Sequence, residues 1–279
     1  MGAGRVGSSL GAALAAAGYP VLAVTALSPA SRARAAALLP GVPVHPDPAA
    51  VARVADVLLV AVGDDALADL VAGLAASGAL RPGQTVVHTS GAHGLAVLAP
   101  AAAVEARVLA LHPAMTFTGT TADSDRLPGC RWGVTGESAL AGRLVADLGG
   151  VVVPIAERDR PAYHAALAHG ANHLVTLVVQ AAEVLHAAGV TDTDGMLRPL
   201  LSAALDGALT HGEAATTGPA VRGDAASVAA HLGVLPASTL PSYAALARDT
   251  ARRAAARGVL PVAAADAVLA ALDAASVPA

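Results

Sequence analysis

An α/β fold with a doubly wound parallel sheet, followed by an all-α part, is predicted from three observations. Gly2, Gly4 and Gly7 form a G-x-G-x-x-G run at the start of the chain. Strand-like and helix-like segments alternate from there to about residue 156. After Glu157 the strand signal stops and apolar residues recur at helical spacing. Such alternation is the pattern of a parallel sheet covered by helices on both faces.

The elements follow in order. Gly7 to Gly18 is rich in Ala and Leu and ends on glycine, so it reads as a helix. Pro20 to Leu27 reads as a strand and Ser31 to Leu39 as a short helix. Val57 to Val62 is a continuous apolar run, as expected of a strand buried on both faces. A helix is expected over Ala66 to Ala76, a strand over Thr85 to Thr89, and a helix near Ala92 to Ala99. Val108 to Leu111 and Trp132 to Thr135 read as strands, Leu140 to Leu148 as a helix, and Val151 to Ile155 as the last strand. The boundary is placed at residue 156, giving parts 1–156 and 157–279. In the second part, helices are expected over Arg160 to Ala188, Gly195 to His211, Ala225 to Leu232, Ser242 to Arg257 and Val262 to Ala274.

A G-x-G-x-x-G run normally follows a buried strand, and here none precedes it. The first strand of the sheet is therefore expected to be missing. An in-frame upstream segment of roughly four to six apolar residues is expected to supply it. Without it two neighbouring strands keep unpaired backbone groups, and weak nucleotide binding is expected.

Composition excludes several classes. Net charge is −4 with no basic cluster, which argues against nucleic acid. No apolar run approaches the roughly 18 residues of a membrane span. The N-terminus does not read as a signal peptide, so a cytoplasmic location is expected. The single cysteine, Cys130, excludes an intrachain disulfide and a Cys-rich zinc site. All 17 basic residues are Arg. No side-chain Schiff base can form, and no lysine can act as a general acid.

The glycine run is a dinucleotide fingerprint. Gly2 allows the tight turn, Gly4 lets backbone approach a pyrophosphate and Gly7 lets helix pack on strand; Arg5 and Val6 sit between them. Cofactor choice is set at the end of the next strand, where an acid would bind a ribose 2′-OH. Leu27 and Ser28 are followed by Ser31, Arg32 and Arg34, with no carboxylate. Hydroxyls and arginines suit a 2′-phosphate, so NADP is favoured, with Ser28 and Arg32 as its contacts. Arg32 and Arg34 as simple solvated helix charges is the other reading. Val62 and Gly63 could approach the ribose or nicotinamide, whereas Asp64 and Asp65 are expected to cap a helix.

Four clusters carry candidate chemistry. Ser90 and Gly91, within HTSGAH, could offer a hydroxyl and amides to a substrate carboxylate. His112 stands before Pro113, which holds it extended. His164, Ala168, Asn172 and Thr176 are spaced by four and share a helix stripe. There Asn172 could hold a substrate oxygen and His164 could pass a proton, or the stripe could be a hydrogen-bonded helix contact. His169 and His173 share the spacing of a metal pair, but no acid or HExxH pattern supports one, so no metal is expected. Arg222, in TGPAVRGD, suits bidentate carboxylate recognition, or pairs with Asp224.

Taken together, GAGRVG (Gly2 to Gly7), HTSGAHG (His88 to Gly94), LHPAMTFTG (Leu111 to Gly119), YHAALAHGANHLVTL (Tyr163 to Leu177) and TGPAVRGD (Thr217 to Asp224) resemble a known family over nearly the whole chain. That family pairs a Rossmann-like domain with a helical C-terminal domain of unknown function. It is similar to β-hydroxyacid dehydrogenases and to non-classical ketopantoate reductases. The resemblance implies a homodimer formed through the helical domains. Relatives usually place a lysine one turn before the asparagine; here that residue is Ala168. The resemblance thus leads to an NADPH-dependent reductase of a small 2-oxo acid, 2-dehydropantoate first. In it His164 protonates, Asn172 orients, and Ser90, Gly91, His112 and Arg222 hold substrate. An imine reductase resembling pyrroline-5-carboxylate reductase, and an NADP-binding sensor without turnover, are the alternatives.

Overall fold

The structure, a computed structural model, describes residues 2–136 and 139–274. Two compact units divide at His169 and Gly170.

The first unit begins with helix α1 (Arg5–Ala16), which starts directly after the glycine turn and buries Leu10, Gly11 and Ala13. Strand β1 covers only Val24–Thr25, much less than the segment Pro20 to Leu27 expected from sequence. Its two residues are those with a ladder partner: Val24 pairs Val44 and Thr25 pairs His45 of β2 (Val44–His45). Between them lies α2 (Pro29–Leu38), fixed by Pro29 in its first turn and a reciprocal capping box of Ser28 and Ser31. Neither β2 nor α3 (Pro48–Val54) was among the elements expected from sequence; Pro48 opens the helix behind the Asp47 cap.

The second sheet holds β3 (Val57–Val60), β4 (Thr85–His88), β5 (Arg107–Pro113), β6 (Arg131–Thr135) and β7 (Val151–Pro154), side by side in that order. All pairs are parallel except β5 with β6, which run antiparallel. Helices α4 (Asp64–Ala76), α5 (Ala99–Ala103) and α6 (Ala139–Asp147) connect them. Period-two alternation sorts the strand side chains onto two faces. Leu58, Val60 and Val86 pack with Leu67, Val71 and Leu74 of α4. Val87, Leu109, Leu111 and Trp132 pack with Leu10 of α1 and Leu144 of α6. The helix expected near Ala92 to Ala99 is replaced by a loop, a short 3-10 turn and α5. Glu157 takes the Leu95 and Ala96 amides at 2.6 and 3.1 Å, which holds that stretch open.

The expected long helix after Glu157 is interrupted. α7 (Arg160–Leu167) gives way to one π-helical turn over Ala168–Asn172, around Gly170, before α8 (His173–Ala187). The second unit continues with α9 (Thr193–His211), α10 (Pro219–Arg222), α11 (Ala225–Val234), α12 (Leu240–Ala256) and α13 (Val262–Ala274). Its core is small-residue packing: Ala247, Ala251 and Ala254 of α12 meet Val228 of α11 and Ala265, Val268 and Leu272 of α13. No described helix is long and apolar enough to cross a membrane.

Candidate active site

The glycine turn is shaped for close backbone approach. Gly2 has φ +84°, a conformation open mainly to glycine, and a Cβ there would meet the Ala61 carbonyl oxygen at 2.4 Å. A Cβ on Gly7 would lie 2.0 Å from the Gly2 carbonyl oxygen. By contrast Gly4, the N-cap of α1, has nothing within 4 Å of its Cβ position. The helix N-terminus therefore opens on free space with no acid in its first turn, the arrangement that receives a pyrophosphate. Thr25 holds the turn by accepting from the Gly2 and Ala3 amides, each at 2.8 Å.

At the end of β1 no carboxylate stands. Ser28 caps α2, and Arg32 donates to the Leu27 carbonyl at 2.5 Å, leaving both exposed beside the strand end. Arg5 and Arg34 approach a second loop, with Arg34 Cδ 2.9 Å and Arg5 Cγ 3.1 Å from the Cβ position of Gly119. Asp123, fully buried, fixes that loop: it accepts from Thr118 N, Gly119 N and the Ser9 hydroxyl at 2.7 to 2.9 Å. Burial alone would raise its pKa, but these donors bring it to about 2. Val62 and Gly63 follow β3. Gly63 is itself the N-cap of α4 and makes no side-chain cap bond. Asp64 and Asp65 are thus first-turn acids facing the helix dipole, not the capping residues expected from sequence.

Beyond the carboxyl ends of β4 and β5 the structure brings Ser90, Gly91, His112, Tyr163 and His164 together over a buried cation. Arg160 is wholly inaccessible and sits at the first position of α7. Its guanidinium donates to Thr135 Oγ1 at 2.8 Å and to the carbonyls of Ser90, Ala110 and Gly133 at 3.2, 3.1 and 3.0 Å. All four acceptors are neutral, so among the described residues no acid hydrogen-bonds the guanidinium, and Glu157 acts on it only through its field.

Gly91 is the meeting point. Its Cβ position lies 2.7 Å from His164 Cδ2 and 3.0 Å from His112 Nε2. The His112 ring stands edge-on to those of Tyr163 and His164, with centroids 5.5 and 6.3 Å away. His112 Nδ1 lies 2.8 Å from the Tyr163 hydroxyl. Burial, then the charge of Arg160, lowers the His112 pKa to about 4. Burial raises the Tyr163 pKa. Both groups are therefore neutral near pH 7, and one hydrogen bond joins them, its donor set by the tautomer of His112.

Ser90 and His88 shape the loop. The Ser90 hydroxyl accepts from the Ala92 and His93 amides, both at 3.2 Å. His88 is fully buried, donating from Nε2 to the Gly94 carbonyl at 2.8 Å and accepting the Ser90 amide at Nδ1. Burial, its first cause, lowers its pKa to about 4. Asn172 lies exposed in the π turn, and Arg222 lies exposed on α10, both in the second unit. The Asp224 carboxylate takes the Ser227 amide and hydroxyl, capping α11. No metal-holding group of three His, Cys, Asp or Glu occurs among the described residues.

Sequence reasoning missed Arg160 and Glu157. Arg160 shares its segment with Arg158, and only the fold tells them apart.

A glycine-turn helix start, a sheet with its polar residues at strand ends and a separate helical unit define a dinucleotide-fold protein of the Rossmann-like class. Residues 1–113 match the model of a Rossmann-like domain, and residues 130–250 match that of a domain of unknown function, DUF2520. No curated protein matches the chain. Among solved structures it is similar to a provisionally named NADP oxidoreductase from Bacteroides fragilis, at 22% identity over 90% of this chain and 96% of that one, with TM-score 0.76. A pyrroline carboxylate reductase from Plasmodium falciparum with NADP bound is 11% identical over 97% and 96%, with TM-score 0.59. An imine reductase from Myxococcus stipitatus in complex with NADP+ is 20% identical over 98% and 92%, with TM-score 0.57. These likenesses establish the fold.

Proposed function

We propose that the protein is an NADPH-dependent reductase of a small acid bearing a C=O or C=N bond, with 2-dehydropantoate as the leading substrate. The observation that carries this reading is the convergence of His112, Tyr163 and His164 on Gly91 above the buried charge of Arg160. The like-folded proteins from Plasmodium falciparum and Myxococcus stipitatus hold NADP, which supports the cofactor.

The residues fit that cofactor. Gly2, Gly4, Arg5, Val6 and Gly7 would hold the pyrophosphate, Ser28 and Arg32 the 2′-phosphate, and Val62 and Gly63 the ribose side. NADPH supplies a hydride when bound. The chain supplies the rest: a proton for the developing oxygen or nitrogen anion, and a pocket that favours negative charge.

His164 is the side chain suited to passing that proton. In the tautomer where the Tyr163 hydroxyl donates to Nδ1, His112 offers its Nε2–H as a hydrogen-bond donor without itself ionising. Arg160 acts through its field and by holding the Ser90 and Gly133 carbonyls, which favours a substrate carboxylate. Ser90 and Gly91 offer the loop that receives it. The roles expected for Asn172 and Arg222, orienting the reacting oxygen and holding the carboxylate, belong to the same proposal. So do a cytoplasmic setting and a homodimer, supported by exposed Val175, Leu200 and Leu209 on α8 and α9.

The test is NADPH consumption with 2-dehydropantoate, pyrroline-5-carboxylate and a panel of 2-oxo acids. Turnover of the first establishes the leading reading. Turnover of pyrroline-5-carboxylate alone moves the reaction to C=N, the bond named by the fold's imine-reducing relatives. NADPH binding with no turnover of any acid overturns the reductase.

A further inference from the structure

The loop that follows β5 carries a buried carboxylate outside the catalytic cluster. Asp123 Oδ1 accepts from the Thr118 amide and hydroxyl at 2.9 and 2.8 Å. Its Oδ2 accepts from the Gly119 amide and from the Ser9 hydroxyl of α1 at 2.8 and 2.7 Å. Three of these bonds shape the loop around Gly119, and the fourth staples it to α1. All four donors are neutral, so neither oxygen is spent on an arginine.

Two arginines nevertheless lie against this loop. Gly119 has φ +79°. Its Cβ position is 2.9 Å from Arg34 Cδ, 3.1 Å from Arg5 Cγ and 3.2 Å from Arg34 Nε. Both stems thus pass over bare backbone, in space that a side chain at 119 would fill. Arg34 Nη1 also reaches the Ala3 carbonyl of the glycine turn at 3.4 Å. Arg32 instead turns its Nη1 to the Leu27 carbonyl.

This placement is electrostatically unfavourable by itself. Arg5 is the first residue of α1, at the positive end of the helix dipole, where acids are preferred. Arg34 is brought to the same end. Among the described residues neither guanidinium forms an ion pair with an acid. Two positive charges at a positive helix end are stabilised by an anion bound there, and the guanidinium fork matches phosphate oxygens.

We propose that Arg34 joins Arg5 in holding the cofactor's pyrophosphate, with the Asp123-braced loop at Gly119 as the seat that keeps both guanidinium groups beside the N-terminus of α1. This assignment rests on the NADPH reading above and deepens it. Arg34 serves the diphosphate that NADPH and NADH share, while Arg32 serves the 2′-phosphate.

Fluorescence titration of the full chain with NADPH and with NADH is the test. Arg34→Met is expected to raise both Kd values about tenfold, the effect of one charged hydrogen bond lost. Gly119→Ala is expected to raise both as well, by displacing the two stems. Gly129→Ala is the control for backbone strain: Gly129 has the same φ of +79°, with nothing within 4 Å of its Cβ position. It is expected to lower Tm much as Gly119→Ala does and to leave both Kd values unchanged. Loss of NADPH affinity alone in Arg34→Met, with NADH affinity kept, overturns the proposal and moves Arg34 to the 2′-phosphate. Unchanged Kd values in Arg34→Met overturn it, as do equal Kd changes in Gly119→Ala and Gly129→Ala. A parent chain that binds neither nucleotide overturns the dinucleotide reading and this assignment together, whereas the other adverse outcomes overturn the assignment alone.

Discussion

His112 Nδ1 and the Tyr163 hydroxyl lie 2.8 Å apart, in a pair kept neutral by burial. The hydroxyl engages one ring nitrogen, so the tautomer of His112, and with it what Nε2 presents toward Gly91, is coupled to Tyr163. Tyr163→Phe keeps the ring and removes that constraint. It is expected to lower kcat about tenfold, roughly 1.4 kcal/mol of barrier, with KM changed far less. A steady-state NADPH assay reads both. Equal losses in kcat and thermal stability would assign the tyrosine to packing alone.

Arg160 carries a heavier structural duty. Its guanidinium holds three main-chain carbonyls from separate loops and strands, and one hydroxyl. Arg160→Met leaves those oxygens buried without donors and is expected to destabilise the fold by about 3 kcal/mol or more. Urea unfolding measures it. Arg160→Lys restores the charge but not the planar fork, and is expected to recover only part of the loss.

The contrast of Arg158 with Arg160 shows how far the sequence reaches. Both lie in one charged stretch of the same residue types, yet Arg158 is exposed and Arg160 wholly buried. Only tertiary contacts select between them. Strand β3 was legible because its apolar run, VLLV, is continuous. β1 was read too long because ladder length depends on partners, not on its own residues. The meeting of Gly91, His112 and Tyr163 was not legible, since a turn, a strand end and a helix far apart in sequence must converge. His112 and His164 stood out as residue types, while their environment did not.

Acid should unfold this protein through its buried imidazoles. His88 and His112 have folded pKa values near 4, below the ordinary value of 6.5. Between those limits the unfolded chain binds more protons, so stability is full above about pH 6.5 and falls as pH drops toward 4. Near pH 5 each contributes a slope of about 1.4 kcal/mol per pH unit. Chemical denaturation at pH 7, 6 and 5 gives the slope. His88→Gln is expected to remove one proton from it; an unchanged slope would refute the assignment.

Gly7 offers the sharpest separation of nucleotide binding from the rest of the site. A Cβ there would fall 2.0 Å from the Gly2 carbonyl oxygen, a main-chain atom held in place by the bonds of Gly2 and Ala3 to Thr25. Relief requires the turn to move away from the N-terminus of α1, because no rotamer change can clear a backbone atom. Gly7→Ala is expected to weaken NADPH binding at least tenfold, about 1.4 kcal/mol, read by fluorescence titration of the dinucleotide. Gly4 has open space at its own Cβ position, so Gly4→Ala keeps the turn and places a methyl where the pyrophosphate would lie. It is expected to weaken NADPH binding with little change in Tm, whereas Gly7→Ala lowers both. If Gly4→Ala binds NADPH as tightly as the parent chain, the pyrophosphate does not sit over this helix start.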